Sequence, residues 1–215
     1  MFVSFFPILF TMFIVVDPFG LVPMYIGLTS HLSAEEKRKT IRKSVRTAFL
    51  VLLLFILAGK WILQLLHIQP GSFFIAGGIM LFIVSLEMLF GQPTKSKVSK
   101  QEHPQDDDGD ERSSVAIFPL AIPMLAGPGA ITSILLYTSS EAPFIPMVIM
   151  LVVAVALVLV MAVLSMGASE VILRILGRSG VSVVERIMGL LLSGMSVQFV
   201  YDGLGKLGLL SGGSL

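Results

Sequence analysis

Asp17-Pro18-Phe19-Gly20 cuts the first apolar stretch of the chain, and Gly127-Pro128-Gly129 cuts another 110 positions later. Each motif interrupts a run long enough to span a bilayer. Proline removes a backbone donor and disfavours helical geometry at the residue before it, so a helix must stop and restart at both places. Freed backbone groups at membrane depth have to find protein, water or ligand, and such breaks line cavities in transport proteins.

Of the 215 residues, 55% are hydrophobic and 13% charged, and the mean hydropathy is +0.92. These values describe an all-α membrane protein rather than a soluble domain. A hydrocarbon core of ~30 Å takes about 20 helical residues. Six stretches meet that length: 2–29, 47–66, 72–90, 115–138, 144–169 (with a continuation towards Leu176) and 187–204. The N-terminus lacks a basic n-region and a cleavage pattern and reads as a retained helix. There is no cysteine, which excludes disulfides, thiolate metal sites and cysteine nucleophiles. A net charge of +1 carries no nucleic-acid signal.

Charge is instead distributed by side. Lys37, Arg38, Lys39, Arg42, Lys43 and Arg46 follow the first span; Lys95, Lys97, Lys100 and Arg112 follow the third; Arg174, Arg178 and Arg186 follow the fifth. Only Lys60 and Lys206 fall on the other side. The positive-inside rule then places both termini outside the cytoplasm. Residues 91–114 are polar, with Asp106-Asp107-Asp108-Gly109-Asp110-Glu111 at their centre. A calcium loop fails there, because placing Gly109 at the turn position puts Pro104 and Val115 at the end ligands. The segment reads as a solvated cytoplasmic linker between two three-helix halves, 1–90 and 115–215.

The halves resemble each other. A shift of 110 pairs Asp17-Pro18 with Gly127-Pro128 and aligns residues 58–66 with 168–176; a shift of 111 pairs Gly78 with Gly189, Leu81 with Leu192 and Ser85 with Ser196. An odd number of spans per half makes the repeat inverted, the arrangement that supports alternating access around a midplane site.

The breaks differ chemically. Asp17 can cap the half-helix that starts at Pro18, with Gly20 in the same turn. Gly127 offers no side chain, so the amides of Gly129, Ala130 and Ile131 need an outside acceptor, and a helix N-terminus favours an anion. A small zwitterion fits this pair, its ammonium at Asp17 and its carboxylate at the Gly127-Pro128-Gly129-Ala130-Ile131 turn, with the Thr132 and Ser133 hydroxyls assisting. An ionised Asp at a helix centre costs ~2.5–3.5 kcal/mol, so capping and direct contact are both open roles for Asp17. His31, His67 and His103 lie in or beside connections and form no intramembrane metal cluster. No serine–histidine, paired-aspartate or metal constellation for an intramembrane enzyme is present, and no cofactor is implied. Tyr25, Trp61 and Tyr137 stand near span ends and read as interfacial anchors.

With Asp17-Pro18-Phe19-Gly20-Leu21-Val22-Pro23, the run from Pro119 to Ile131, Ile75-Ala76-Gly77-Gly78-Ile79 and Arg186-Ile187-Met188-Gly189-Leu190-Leu191 in view, the chain resembles the MarC family. The resemblance implies an inner-membrane protein of six spans, in a family that includes small neutral amino acid transporters and often carries Asn at the position of Asp17. The expected function is secondary transport of glycine-, alanine- or serine-like amino acids, with a proton or sodium gradient as energy source. Rival expectations are transport of another metabolite or drug, and a scaffold or regulatory role in the membrane.

Overall fold

The computed structural model describes residues 2–90, 120–122, 125–139 and 143–210, apart from the side chains of residues 2–4 and 178. The linker 91–114, Pro119 and Pro123 lie outside the described residues. Every regular element described is helical: α1 (Phe2–Val16), α2 (Leu21–Thr29), α3 (Ala34–Leu65), α4 (Pro70–Phe90), α5 (Pro128–Thr138), α6 (Phe144–Gly167) and α7 (Ser169–Lys206). Among the described residues, five segments are long and apolar enough to cross a membrane: Phe5–Thr29, Ala34–Leu65, Pro70–Phe90, Phe144–Gly167 and Ser179–Lys206.

Local chemistry explains the boundaries. α3 begins thirteen positions before the expected span, because Ser33 and Glu36 form a reciprocal capping box that starts a helix through the basic segment. The fifth span does not run on to Leu176. The chain turns at Ala168, whose amide closes on the Leu164 carbonyl at 2.8 Å, and residues 169–176 open α7. α7 then kinks at Gly177, where φ is +65°, a region that glycine enters without Cβ strain. Of the expected fourth span, the described part has a wide turn in which the Ala126 amide reaches back five residues to Ala121, then the break, then the eleven residues of α5. Such π-type turns recur at functional positions in helices.

α5 is the centre of the molecule. It touches α1, α3, α4 and α6, and Gly129, Ala130, Thr132, Ser133, Ile134, Leu135 and Thr138 are all buried. One layer around it is built by α1, α2, α3 and α6, with Met12, Leu52, Leu151 and Val158 at its core. The other layer is the pair α4 and α7, the most extensive contact in the fold. These two helices run antiparallel: Gly71 meets Gly203, Gly78 meets Ser196 and Gly189 meets Ser85. Small residues at seven-residue spacing on both helices let the backbones touch, and a Cβ added at Gly78 would stand 2.7 Å from the Ser196 carbonyl oxygen. Close packing of this kind replaces the hydrophobic drive that lipid does not supply between helices. Leu54, Ile83, Ile149, Val160, Leu164 and Leu190 are meanwhile exposed on the outer faces, an apolar surface that suits lipid and not water.

Candidate functional site

Asp17 serves both helices that meet at the first break. Its amide donates to the Phe13 carbonyl (3.0 Å) and ends α1; its carbonyl accepts from Leu21 (3.3 Å) and opens α2; its Oδ1 accepts from the Gly20 amide at 3.1 Å. The backbone at Asp17 is left-handed, φ +45°, a conformation tolerated by Asp and Asn far better than by most side chains. Pro18 and Asp17 are buried. The regular helix starts at Leu21 and not at Pro18, because Pro18-Phe19-Gly20 are used in the turn that the Asp17 carboxylate closes. The expected capping of a half-helix from Pro18 is corrected accordingly: the Asp17 carboxylate closes the turn before α2, and the helix's own N-cap, Gly20, has no side-chain cap.

At the second break Gly127 is extended (φ −76°, ψ 168°), Pro128 occupies the first turn, and no side chain caps the end. The expectation that the Ile131 amide needs an outside acceptor is corrected: it donates to the Gly127 carbonyl at 3.1 Å. The amides of Gly129 and Ala130 precede the first position at which the helix can supply its own acceptor. Ser133 is also accounted for, since its Oγ donates to the Gly129 carbonyl at 2.9 Å.

Thr132 stands apart. Thr29, Ser44, Ser85, Thr138 and Ser196 all return their hydroxyls to carbonyls three or four residues back on their own helices. Thr132 Oγ1, in a residue that is 0% exposed, is the one buried side-chain oxygen without a partner among the described residues. It points at Gly77 of α4, where any side chain would collide with it. An unsatisfied buried hydroxyl costs about 1–3 kcal/mol, an expense that asks for a reason.

α4 connects the two breaks. Gly20 lies against Met88, and Gly129 against Leu81. Those contacts are seven residues apart on α4, roughly 10 Å of helix rise. Leu81 fills the space that a side chain at 129 would need, and it belongs to a buried cluster with Ile14, Leu192 and Phe199. Two tyrosines expected at the interface hold the fold instead. Tyr25 is buried and donates to the Lys37 carbonyl (3.3 Å), while Tyr137 shares a 3.0 Å hydrogen bond with Thr11 and ties α5 to α1. Trp61 is 75% exposed, as an anchor should be. No signal in a single sequence separates a membrane tyrosine that faces a carbonyl from one that faces headgroups. Outside the spans, Lys37 bonds Glu170 at 2.8 Å, joining the starts of α3 and α7, and holds the Glu170 carboxyl below the usual glutamate range.

Apolar outer faces, membrane-length helices and a core helix interrupted at a proline define a multi-pass integral membrane protein. Comparison with known proteins makes this specific. The family model described as "MarC family integral membrane protein" matches residues 2–207, and the chain belongs to that family. It is 40% identical over 197 residues to a UPF0056 membrane protein of Archaeoglobus fulgidus, covering 91% of this chain and 90% of that one. It is 36% identical over 193 residues to one from Pyrococcus abyssi, covering 90% of each, and 32% identical over 203 residues to the UPF0056 membrane protein YhcE of Escherichia coli, covering 93% of each. No solved structure matches the chain.

Proposed function

We propose that this protein is a secondary transporter of small neutral amino acids, glycine, alanine or serine, working by alternating access in the inner membrane. The observation that carries the reading is Thr132 Oγ1, a buried hydroxyl without a partner one turn inside an uncapped helix end. A substrate carboxylate supplies what both lack. It accepts from the Gly129 and Ala130 amides and from the Thr132 hydroxyl, and the positive end of the helix dipole favours its charge. Gly77 faces Thr132 and Leu81 presses on Gly129, close packing that favours a substrate with a small side chain. Asp17 acts first by closing the turn that leads into α2; for it to face the ammonium, the first break must approach α5 during the cycle, since their contacts on α4 lie two turns apart.

Six spans in two inverted halves, 1–90 and 115–215, go with this reading, α5 belonging to the fourth. Support comes from element positions: α3 starts at Ala34 and α6 at Phe144, 110 positions apart. The α4–α7 pair supports it too. Gly78 against Ser196 and Gly189 against Ser85 are the same contact exchanged between halves, and Ser85 Oγ to Phe82 has its counterpart in Ser196 Oγ to Ser193. Transport by such a repeat exchanges the conformations of the halves. Leu81 packs over the first turn of α5, so substrate entry requires α4 to withdraw. Both termini lie outside the cytoplasm, and a proton or sodium gradient drives the cycle.

Proteoliposomes loaded with purified protein test the proposal. Labelled glycine, alanine or serine is expected to enter, faster under a proton or sodium gradient, and Thr132→Val to cut uptake at sub-saturating substrate about 10- to 100-fold. Failure of every amino acid in a neutral panel to move, while a different solute class does, overturns it.

A further inference from the structure

Away from the breaks, α3 and α6 part to leave a groove of about 320 Å³ that opens on the outer face of the bundle. Phe49 and Leu50 line one wall, Val160 and Val163 the other, and Ala156 contributes only a methyl group. Arg46 closes one end. That end of α3 is also where Lys37, Arg38, Lys39, Arg42 and Lys43 are gathered. Arg46 is exposed and has no acidic partner among the described residues, whereas Lys37 and Lys39 are engaged by Glu170 and Glu35.

We propose that the groove is a binding site for one anionic glycerophospholipid. Its phosphate pairs with the Arg46 guanidinium and an acyl chain lies along Phe49, Leu50, Ala156 and Val160. The charge argues for the occupant. A cation set at the mouth of an apolar, lipid-facing channel recognises a molecule with a negative head and a hydrocarbon tail, and guanidinium offers the paired donors that phosphate oxygens accept. Basic groups between membrane helices on the cytoplasmic side bind anionic headgroups for this reason, and the inner leaflet supplies them. The proposal rests on the membrane orientation argued above but not on the identity of the transported substrate. The site bridges α3 and α6, which flank α5, so bound lipid steadies the layer against which α4 has to move.

Native mass spectrometry of the full chain released from detergent, titrated with phosphatidylglycerol or phosphatidylcholine, tests the site without reference to transport. One phosphatidylglycerol is expected to remain bound in preference to phosphatidylcholine, and inorganic phosphate alone to leave no adduct. Arg46→Gln should weaken retention about tenfold. Ala156→Phe, which fills the groove and spares the charge, should weaken it as well. Lys39→Gln, on the same basic end, and Lys60→Gln, at the far end of α3, should leave it unchanged. Equal loss in Lys39→Gln and Arg46→Gln means diffuse surface attraction and overturns the proposal. So does a lipid-free dimer that Ala156→Phe splits, which would make the groove an interface between copies.

Discussion

Replacing Thr132 by valine keeps the β-branched shape and removes only the hydroxyl. In a purely structural role a buried hydroxyl has a partner, and its loss destabilises. Here Oγ1 has none and the residue is 0% exposed, so the substitution relieves a desolvation cost of about 1–3 kcal/mol. Thr132→Val should therefore raise the thermal midpoint of the purified protein in detergent. Binding should move the other way. A hydrogen bond to a charged carboxylate contributes about 1.5–3 kcal/mol, which is roughly 10- to 100-fold in Kd. Calorimetry or scintillation proximity with glycine measures that loss, and Thr132→Ser, which restores a hydroxyl, should recover most of it. A lower midpoint in Thr132→Val would mean that the hydroxyl already serves the fold. Unchanged glycine affinity would refute its place in the site.

Three further outcomes are expected. Gly78→Ala should destabilise by about 1–3 kcal/mol, because its Cβ meets a backbone carbonyl that has no rotamer to escape into; Gly27→Ala, in open space within α2, should not destabilise and should gain up to about 1 kcal/mol, both read from denaturation midpoints. At the first break Asp17→Asn should fold almost as the parent does, since Asn can accept from Gly20 and tolerates a positive φ, whereas Asp17→Ala should lose about 0.5–1.5 kcal/mol with that turn hydrogen bond; equal losses would show that the charge and not the bond matters. The Lys37–Glu170 bridge depresses the Glu170 carboxyl, so its contribution is present above the ordinary glutamate pKa and disappears as pH falls through the lower folded value. A Lys37–Glu170 double-mutant cycle, read from denaturation midpoints, should accordingly show a small coupling at neutral pH that vanishes only in acid below the ordinary glutamate range, and Glu170→Gln should abolish it at every pH.

Membrane residence, the helical class and both breaks are legible in the chain because they rest on local rules. Apolar runs of bilayer length have one stable backbone solution in lipid, and Asp or Gly before proline marks a local break at 17–18 and 127–128, whereas Pro7 is carried inside α1. The capping box at Ser33 and Glu36 is equally local and sets the start of α3. Turn chemistry at Ala168 carries no such signature, which is why the fifth span reads too long in sequence.

Partners are another matter. Sequence could show that Asp17 is able to cap and that Gly127 is not, because capping is settled within four residues. It could not show that Ser133 bonds its own helix while Thr132 does not, nor that Gly77 clears the space for Thr132, nor that Gly78 and Ser196 touch across antiparallel helices. Those facts depend on how α4 is set against α5 and α7, and contacts between residues more than fifty positions apart leave no trace in local composition. The chain by itself determined where its helices break; only the packing of α4 decided which hydroxyl beside the break was left without a partner.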